Sequence, residues 1–235
     1  MLAGEVLNLS RVFSCNIMSY MKHDQQQEHS YGGSHHHHHG FDDPDAIARR
    51  LEAPEREAWQ KPEEVISSFQ LPPDASVAEI GAGTGYFVVR LARRLPQGTV
   101  IGLDAEPKMV AYLRQRAEDL GLANVQARLV TPWEDVPLTA PVDLLFCLDT
   151  LHHIQDRIRY FSTYLKHLKR DGKLVIIERS ADAPEGPPSE MRVSAETVEQ
   201  ELAEAGFTLV RTLDFLQPYQ FYLEFAPMTS RSGKA

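Results

Sequence analysis

The sequence has little cysteine, no excess of positive charge and no long apolar run. Its 235 residues include two cysteines, Cys15 and Cys147, too few for a disulfide framework or a cysteine zinc site. Aspartate and glutamate outnumber lysine and arginine by 33 to 24, and the resulting net charge of −9 disfavours nucleic acids and anionic membrane surfaces as partners. Without about eighteen consecutive apolar residues, no transmembrane helix is expected. These features favour a globular protein of the cytoplasm and carry no information on its oligomeric state.

The first forty residues differ from the rest in composition. They are rich in glutamine and histidine, with five consecutive histidines at 35–39, and we predict a disordered tail over 1–40. Adjacent imidazoles bind transition metals, but a flexible run defines no coordination geometry, so no metal site is predicted. An expression tag and a natural metal-binding tail both remain open. A helical cap over 41–72, the main domain over 73–228 and a flexible end over 229–235 complete the expected organisation.

The main domain alternates short apolar strands with amphipathic helices. Strands are predicted at 77–80, 99–103, 125–130, 142–148, 173–178, 207–215 and 219–225. Helices are predicted at 45–53, 62–69, 86–95, 107–120, 155–169 and 194–205. This alternation is typical of an α/β, doubly wound, seven-stranded and mostly parallel sheet. The last two strands are joined too closely for a crossover helix, so one C-terminal strand is expected to be antiparallel.

The most informative segment joins the first strand to the helix after it. It reads Glu79-Ile80-Gly81-Ala82-Gly83-Thr84-Gly85-Tyr86-Phe87. Glycines at such a turn let the backbone bend tightly and approach a ligand closely. Because nucleotides bind at the carboxyl ends of the strands in doubly wound sheets, this loop predicts a nucleotide-containing ligand.

Two ligand classes compete for this loop. In the dinucleotide pattern Gly-x-Gly-x-x-Gly the third glycine would stand at Tyr86, and the acid Glu79 would repel a pyrophosphate. S-adenosylmethionine (SAM) has a cationic amino-acid end and a nucleoside end, which suit the acid and the glycines. Asp104, 19 residues after Gly85 at the end of the second strand, is suited to accept hydrogen bonds from both ribose hydroxyls. The spacing therefore favours SAM over NAD.

At these residues the sequence resembles the class I SAM-dependent methyltransferases. Residues 79–87 are similar to their first motif, and Gly102-Leu103-Asp104 with 107–109 is similar to their second. Residues 143–154 and 172–178 resemble their fourth and fifth strands. The resemblance spans roughly 59–227 and implies a Rossmann-like sheet that binds SAM. The subgroup is similar to the ubiquinone/menaquinone-biosynthesis and arsenite methyltransferases.

The resemblance also implies roles for individual residues. The loop residues would contact the methionine end and the ribose of SAM: Gly81, Ala82, Gly83 and Gly85. Glu79 would orient that loop or the amino group, and Asp104 would accept from the ribose hydroxyls. Ala105 would lie near adenine, and Asp149 near the sulfonium.

Two departures from the family pattern concern adenine and arsenite. The acid that often follows the third strand is replaced by Pro132, and the neighbouring Trp133 could stack on adenine or simply pack. Arsenite chemistry uses several cysteines, whereas the folded body contains Cys147 alone. Arsenite methylation is therefore not expected. Nucleic-acid methylation is not expected either, because the net charge is negative and residues 149–153 do not resemble the acid or amide, two prolines and aromatic of amino-directed DNA methyltransferases.

Methyl transfer needs a base only when the acceptor has a proton to lose. His152 and His153 follow the fourth strand, where the acceptor should lie, and we expect one of them to take that proton. Trp59 and Gln60 fit either a lid or a packing contact. A solvated or helix-capping role is expected for Glu178. The loop 180–190, with three prolines, is placed to line the acceptor pocket.

The expected function is methyl transfer from SAM to a small organic acceptor by in-line displacement, in an enzyme of the transferase class. Two alternatives stay open. One is an NAD-dependent oxidoreductase, against which Glu79 and Tyr86 argue. The other is a non-catalytic module that binds SAM or, through its histidine tail, a metal.

Overall fold

The computed structural model of this chain describes residues 44–131 and 136–228. The predicted tail over 1–40, the adenine candidate Trp133 and the predicted flexible end over 229–235 lie outside these ranges. Among the described residues, no helix combines the length and the apolar character that a membrane span requires.

A seven-stranded sheet forms the centre of the fold, in the order β3-β2-β1-β4-β5-β7-β6. The strands are β1 (Ser76–Ile80), β2 (Thr99–Asp104), β3 (Val125–Leu129), β4 (Val142–Leu148), β5 (Leu168–Arg179), β6 (Phe207–Leu213) and β7 (Gln220–Pro227). β7 is antiparallel to β5 and β6, and the other neighbours pair in parallel. The predicted mostly parallel sheet with one antiparallel C-terminal strand is confirmed.

Helices bury the two faces of this sheet. They are α1 (Pro44–Leu51), α2 (Glu55–Gln60), α3 (Pro62–Ser68), α4 (Tyr86–Arg94), α5 (Pro107–Asp119), α6 (Arg157–Ser162) and α7 (Ala195–Glu204). Successive strand residues enter opposite cores, as Val77 and Ala78 do, because side chains alternate across a strand. One core includes residues of α3, α4 and α5, and the other includes residues of α6 and α7.

The predicted helix over 155–169 is wrong in extent. α6 ends at Ser162, a 3-10 turn follows at Leu165–His167, and β5 begins at Leu168 instead of residue 173. The early part of β5 is irregular: the register against β4 shifts between Val142 and Leu144. A Cβ at Gly172 would lie 2.9 Å from the carbonyl oxygen of Val142, so this glycine serves a close backbone approach within the strand.

The N-terminal cap also contains one more helix than the sequence indicates. Residues 59 and 60, expected to be a connector, end helix α2. Lys61, at the junction with α3, has a φ of 46°, which turns the chain sharply between the two helices. This turn brings α2 to the carboxyl end of β4 and the amino end of β7, as the contacts of Gln60 described below establish.

Candidate active site

The glycine loop folds as a tight turn between β1 and α4. Gly81 and Gly85 have φ values of 72° and 84°, in the left-handed region that favours glycine. A Cβ at Gly81 would lie 2.3 Å from the Thr150 side chain, and one at Gly85 would lie 2.3 Å from Leu113. The amides of Gly81 and Ala82 both donate to the carbonyl oxygen of Leu103, which anchors the loop to β2. Only glycine fits the two crowded positions.

Asp104, the last residue of β2, is hydrogen-bonded to this loop. Its carboxylate accepts from the amide of Gly83 at 2.7 Å and from the amide of Glu106 at 2.9 Å. Burial raises the pKa of Asp104, and these two amides act in the opposite direction. The structure thus brings together the glycine loop and the second-strand acid that the spacing linked, with Ala105 next to them in the chain.

Glu79 is buried in β1, two residues before the loop. Its Oε2 atom has no hydrogen-bond partner within residues 44–131 and 136–228. Burial raises the pKa of Glu79 well above its ordinary value, although the positive charge of Arg56 partly offsets this. An unused acceptor buried beside a glycine loop is the kind of atom that a polar ligand satisfies.

Arg56 reaches this region from helix α2. Its guanidinium lies 4.2 Å from the centroid of the Tyr86 ring and donates hydrogen bonds to the Gln60 side chain and the carbonyl oxygen of Leu51. Its charge also lowers the pKa of Glu79. Sequence reasoning missed this residue, because a charged side chain on a short helix carries no pattern that marks it as functional.

Asp149 is the centre of a buried polar network at the end of β4. Its carboxylate accepts from the side-chain amides of Gln60 at 3.1 Å and Gln220 at 2.7 Å. Both glutamines are fully buried, and their side chains also meet each other at 3.3 Å. Burial and the charge of Glu178 raise the pKa of Asp149. This network ties the cap, β4 and β7 together, and Gln220 had no sequence signal.

His152 and Glu178 form a buried pair at the same edge of the sheet. Nδ1 of His152 lies 3.0 Å from Oε2 of Glu178, and the two side chains are 4% and 1% exposed. Burial lowers the pKa of His152, but the charge and hydrogen bond of Glu178 outweigh it and leave the pKa raised. For Glu178 the same two effects have the opposite sign: burial raises its pKa, but the charge and hydrogen bond of His152 outweigh burial and leave the pKa below its ordinary value. The expectation of a solvated Glu178 is wrong, whereas its carboxylate does accept from the amide of His152 in the 3-10 turn Leu151–His153, at 3.3 Å.

His153 has a different environment from His152. Its Nδ1 atom has no hydrogen-bond partner in the described part of the chain. Burial and the neighbouring His152, whose ring centroid is 4.0 Å away, lower its pKa to about 3. His153 is therefore neutral at physiological pH and lacks a carboxylate that would orient it. Of the two candidates, the structure pairs only His152.

The side chain of Arg192 holds the proline-rich loop after β5 in shape. Arg192 donates to the carbonyl oxygens of Ala181 at 2.9 Å, Ala183 at 2.8 Å and Pro187 at 2.8 Å. These bonds fix a segment that has little regular structure of its own. The loop is thus an ordered wall beside the carboxyl end of β5.

The comparisons with known proteins agree with this geometry. A family model described as "Methyltransferase domain" matches residues 72–213. A solved SAM-dependent methyltransferase from Aquifex aeolicus is 27% identical, with a TM-score of 0.71 over 78% of this chain and 97% of that one.

Among curated relatives, the trans-aconitate 2-methyltransferase of Azoarcus sp. is 28% identical over 122 residues, 52% of this chain and 46% of the relative. Phosphoethanolamine N-methyltransferase 1 of Arabidopsis thaliana is 29% identical over 168 residues, 66% of this chain and 34% of the relative. The chain thus spans less than half the length of these two relatives. Because the family model covers more than half of the chain, the protein belongs to the methyltransferase domain family, in the SAM-dependent class I fold.

Proposed function

We propose that this protein transfers the methyl group of SAM to a hydroxyl group of a small organic acceptor, with His152 as the general base. The observation that carries the proposal is the buried pair of His152 and Glu178, on the sheet edge that also holds the glycine loop. A paired histidine is useful only if the acceptor has a proton to lose. The names of two relatives, which refer to trans-aconitate and phosphoethanolamine, support a small acceptor.

The residues at the edge fit SAM. The glycines have no side chains, so a ligand can approach the loop backbone closely. The unused Oε2 atom of Glu79 can accept a hydrogen bond from an ammonium group. We assign the loop residues Gly81, Ala82, Gly83 and Gly85 to the methionine end and the ribose. Asp104 would exchange amide partners for the ribose hydroxyls, Ala105 would lie near adenine, and Asp149 would lie near the sulfonium.

Arg56 supplies a positive charge for the carboxylate of the methionine end of SAM. Its guanidinium lies beside Tyr86, the first residue of helix α4, and acts electrostatically on both Glu79 and Asp149. A guanidinium matches the geometry of a carboxylate, so we assign Arg56 to the carboxylate of the methionine end. The cap helix α2 thereby becomes part of the cofactor site.

The chemistry falls to few residues. Bound SAM supplies an electrophilic methyl group on a sulfonium. With the Nδ1 hydrogen of His152 donated to Glu178, the neutral imidazole has its lone pair on Nε2, the atom that we assign to the acceptor's proton. Glu178 then stabilises the imidazolium, so it positions His152 and does not itself react. The ring of Trp59, whose centroid lies 6.1 Å from that of Tyr219, covers this edge of the sheet from the cap side. We assign it a part in excluding water.

Calorimetric titration of the full chain with S-adenosylhomocysteine and, separately, with NADH tests the cofactor. We expect S-adenosylhomocysteine to bind. The Asp104→Ala variant should bind it much more weakly, because the variant loses the oxygens that accept from the ribose hydroxyls. Binding of NADH alone would instead support the oxidoreductase alternative. A screen of hydroxylated small molecules for methyl transfer follows, and no turnover despite product binding would favour a non-catalytic module.

A second titration isolates Arg56. 5′-Methylthioadenosine has the nucleoside end of the product and lacks its amino-acid end. Arg56→Gln should therefore weaken binding of S-adenosylhomocysteine by about tenfold to a hundredfold, the range for a lost charged hydrogen bond, and leave methylthioadenosine binding unchanged. An equal loss for both ligands would contradict the assignment.

A further inference from the structure

Arg179, the last residue of β5, is a largely buried arginine with an unused hydrogen-bond donor. Its side chain is 11% exposed. Among the described residues, the guanidinium makes no hydrogen bond, and its Nη1 atom is buried without an acceptor. A buried polar group without a partner is costly, and more so when it is charged. The cost favours a partner for Nη1 that is absent from residues 44–131 and 136–228.

The acids around Arg179 already have their donors. Asp149 accepts from Gln60 and Gln220, and its Oδ1 atom comes no closer to Nε of Arg179 than 3.8 Å. Glu178 accepts from the side chain of His152 and from the backbone amides of His152 and Arg179. The two carboxylates thus balance the charge of Arg179 without occupying its donors.

The surroundings of Arg179 combine an aromatic cover with a second unused donor. The guanidinium lies 3.8 Å from the centroid of the Trp59 ring, which belongs to the cap. The hydroxyl of Ser180 is buried and has no partner in the ranges that the structure describes. Gly186 has a φ of 123°, and a Cβ there would lie 3.1 Å from Cδ of Arg179, so the loop packs directly on the arginine stem.

We propose that Arg179, assisted by the hydroxyl of Ser180, binds an oxyanion of the methyl acceptor, either a carboxylate or a phosphate. The inference rests on the proposed function, since it names the acceptor's chemical class. The planar fork of arginine matches two oxygens of such a group, and stacking on Trp59 holds the fork in place. The acceptor would then carry a hydroxyl near His152 and an oxyanion near Arg179.

The test uses the full chain saturated with S-adenosylhomocysteine, so that the methionine end is already filled. Thermal unfolding is followed with citrate, malate and 4-hydroxybenzoate as carboxylates, and with glycerol 3-phosphate and glycerol 2-phosphate as phosphates. 4-Hydroxybenzamide and glycerol are the neutral counterparts. We expect at least one oxyanion to raise the unfolding temperature more than its neutral counterpart. Which set responds distinguishes a carboxylate from a phosphate.

Arginine variants assign that effect to a residue. Arg179→Gln should weaken oxyanion binding by about tenfold to a hundredfold, and Arg179→Lys should retain part of it. Arg170→Gln is the matched control, because Arg170 is an exposed residue near the opposite end of the same strand. An oxyanion effect that survives in Arg179→Gln would overturn the proposal, as would no oxyanion effect in the wild type.

The same samples separate this inference from the proposed function. Binding of S-adenosylhomocysteine is measured for each variant, which also reports that the site is folded. If the wild type does not bind it, the proposed function fails and this inference fails with it. If it binds and the oxyanions have no effect, only the role of Arg179 is overturned.

Discussion

The two halves of the candidate site are built in different ways. The cofactor half, around β1 and β2, depends on backbone: three glycines turn the chain, and Asp104 bonds the loop amide of Gly83. The acceptor half, around β4, β5 and β7, depends on side chains from distant parts of the chain. Gln60 and Gln220, which meet on Asp149, are 160 residues apart.

This difference explains which half can vary between relatives. A backbone turn tolerates few residue types, since a Cβ at Gly81 would collide with Thr150. Side chains at the end of β5 can be exchanged without altering the sheet. Cofactor binding is therefore expected to be constant across such enzymes, and the acceptor is expected to be set by residues such as Arg179.

The largest effect is expected from Gly81→Ala, which attacks the backbone-built half. The change forces a left-handed alanine, costing about 1–2 kcal/mol, and adds an overlap with Thr150 that costs about 1–3 kcal/mol more. We expect product binding to fall below detection in calorimetry and the free energy of unfolding to drop.

Gly121→Ala is the matched control for this change. Gly121 also has a positive φ, 65°, but no atom lies within 4 Å of its would-be Cβ. It should lose only the conformational part of the stability, about 1–2 kcal/mol, and should bind the product normally. Equal losses of product binding and of stability in the two variants would contradict a specific requirement for glycine at position 81.

The next effect concerns the side-chain-built half. His152→Gln should lower kcat by about a hundredfold to ten-thousandfold, the range for a general base, with product binding unchanged. The measurement is formation of S-adenosylhomocysteine with a hydroxylated acceptor from the screen. His153→Gln serves as the comparison, because Nδ1 of His153 is buried and has no hydrogen-bond partner within the described ranges. A larger loss in His153→Gln would reverse the assignment.

The smallest expected effect is a shift in the pH dependence of the activity in the Glu178→Gln variant. Glu178 raises the pKa of His152, and a base works when deprotonated, so wild-type activity should rise with pH through a midpoint above the ordinary value of 6.5. Without the carboxylate, burial lowers that pKa, and the rise should move to lower pH. A profile that keeps its midpoint would exclude His152 as the titrating group.

The same pair gives stability a pH dependence of known sign. The raised pKa of His152 contributes stability below its ordinary value of 6.5, which is lost as the pH rises through the folded-state pKa. The lowered pKa of Glu178 contributes stability above 4.5, which is lost on acidification through its folded-state pKa. The contribution of the pair is therefore greatest between pH 4.5 and 6.5. Glu178→Gln should lower the free energy of unfolding most in that window and remove the decline on either side of it, which thermal or denaturant unfolding at a series of pH values measures.

Most of the fold could be predicted from sequence, and the errors have a physical cause. Alternating apolar strands and helices defined the sheet, and the short connection before β7 made it antiparallel. The helix predicted over 155–169 failed because its apolar spacing continues through a 3-10 turn into a strand. Pairing with β4, a long-range interaction, decides where β5 begins.

The acceptor half was predicted less well for the same reason. His152 was a candidate because histidine titrates near neutral pH and this one follows a strand, but its neighbour His153 has the same sequence signal. Glu178 ends a strand and could face solvent or the interior, and only packing decides which. Arg56, Arg179 and Gln220 belong to residue types that are usually exposed, so nothing local marks them.

The sequence by itself determined the class of fold, the turn of the glycine loop and the acid that accompanies it, because these depend on residues near one another in the chain. Tertiary structure alone decided which histidine is paired, which acids are already hydrogen-bonded and which arginine has unused donors. Those properties depend on burial and on partners brought from the cap, β5 and β7, and burial sets both the pKa of a group and the cost of leaving it without a partner.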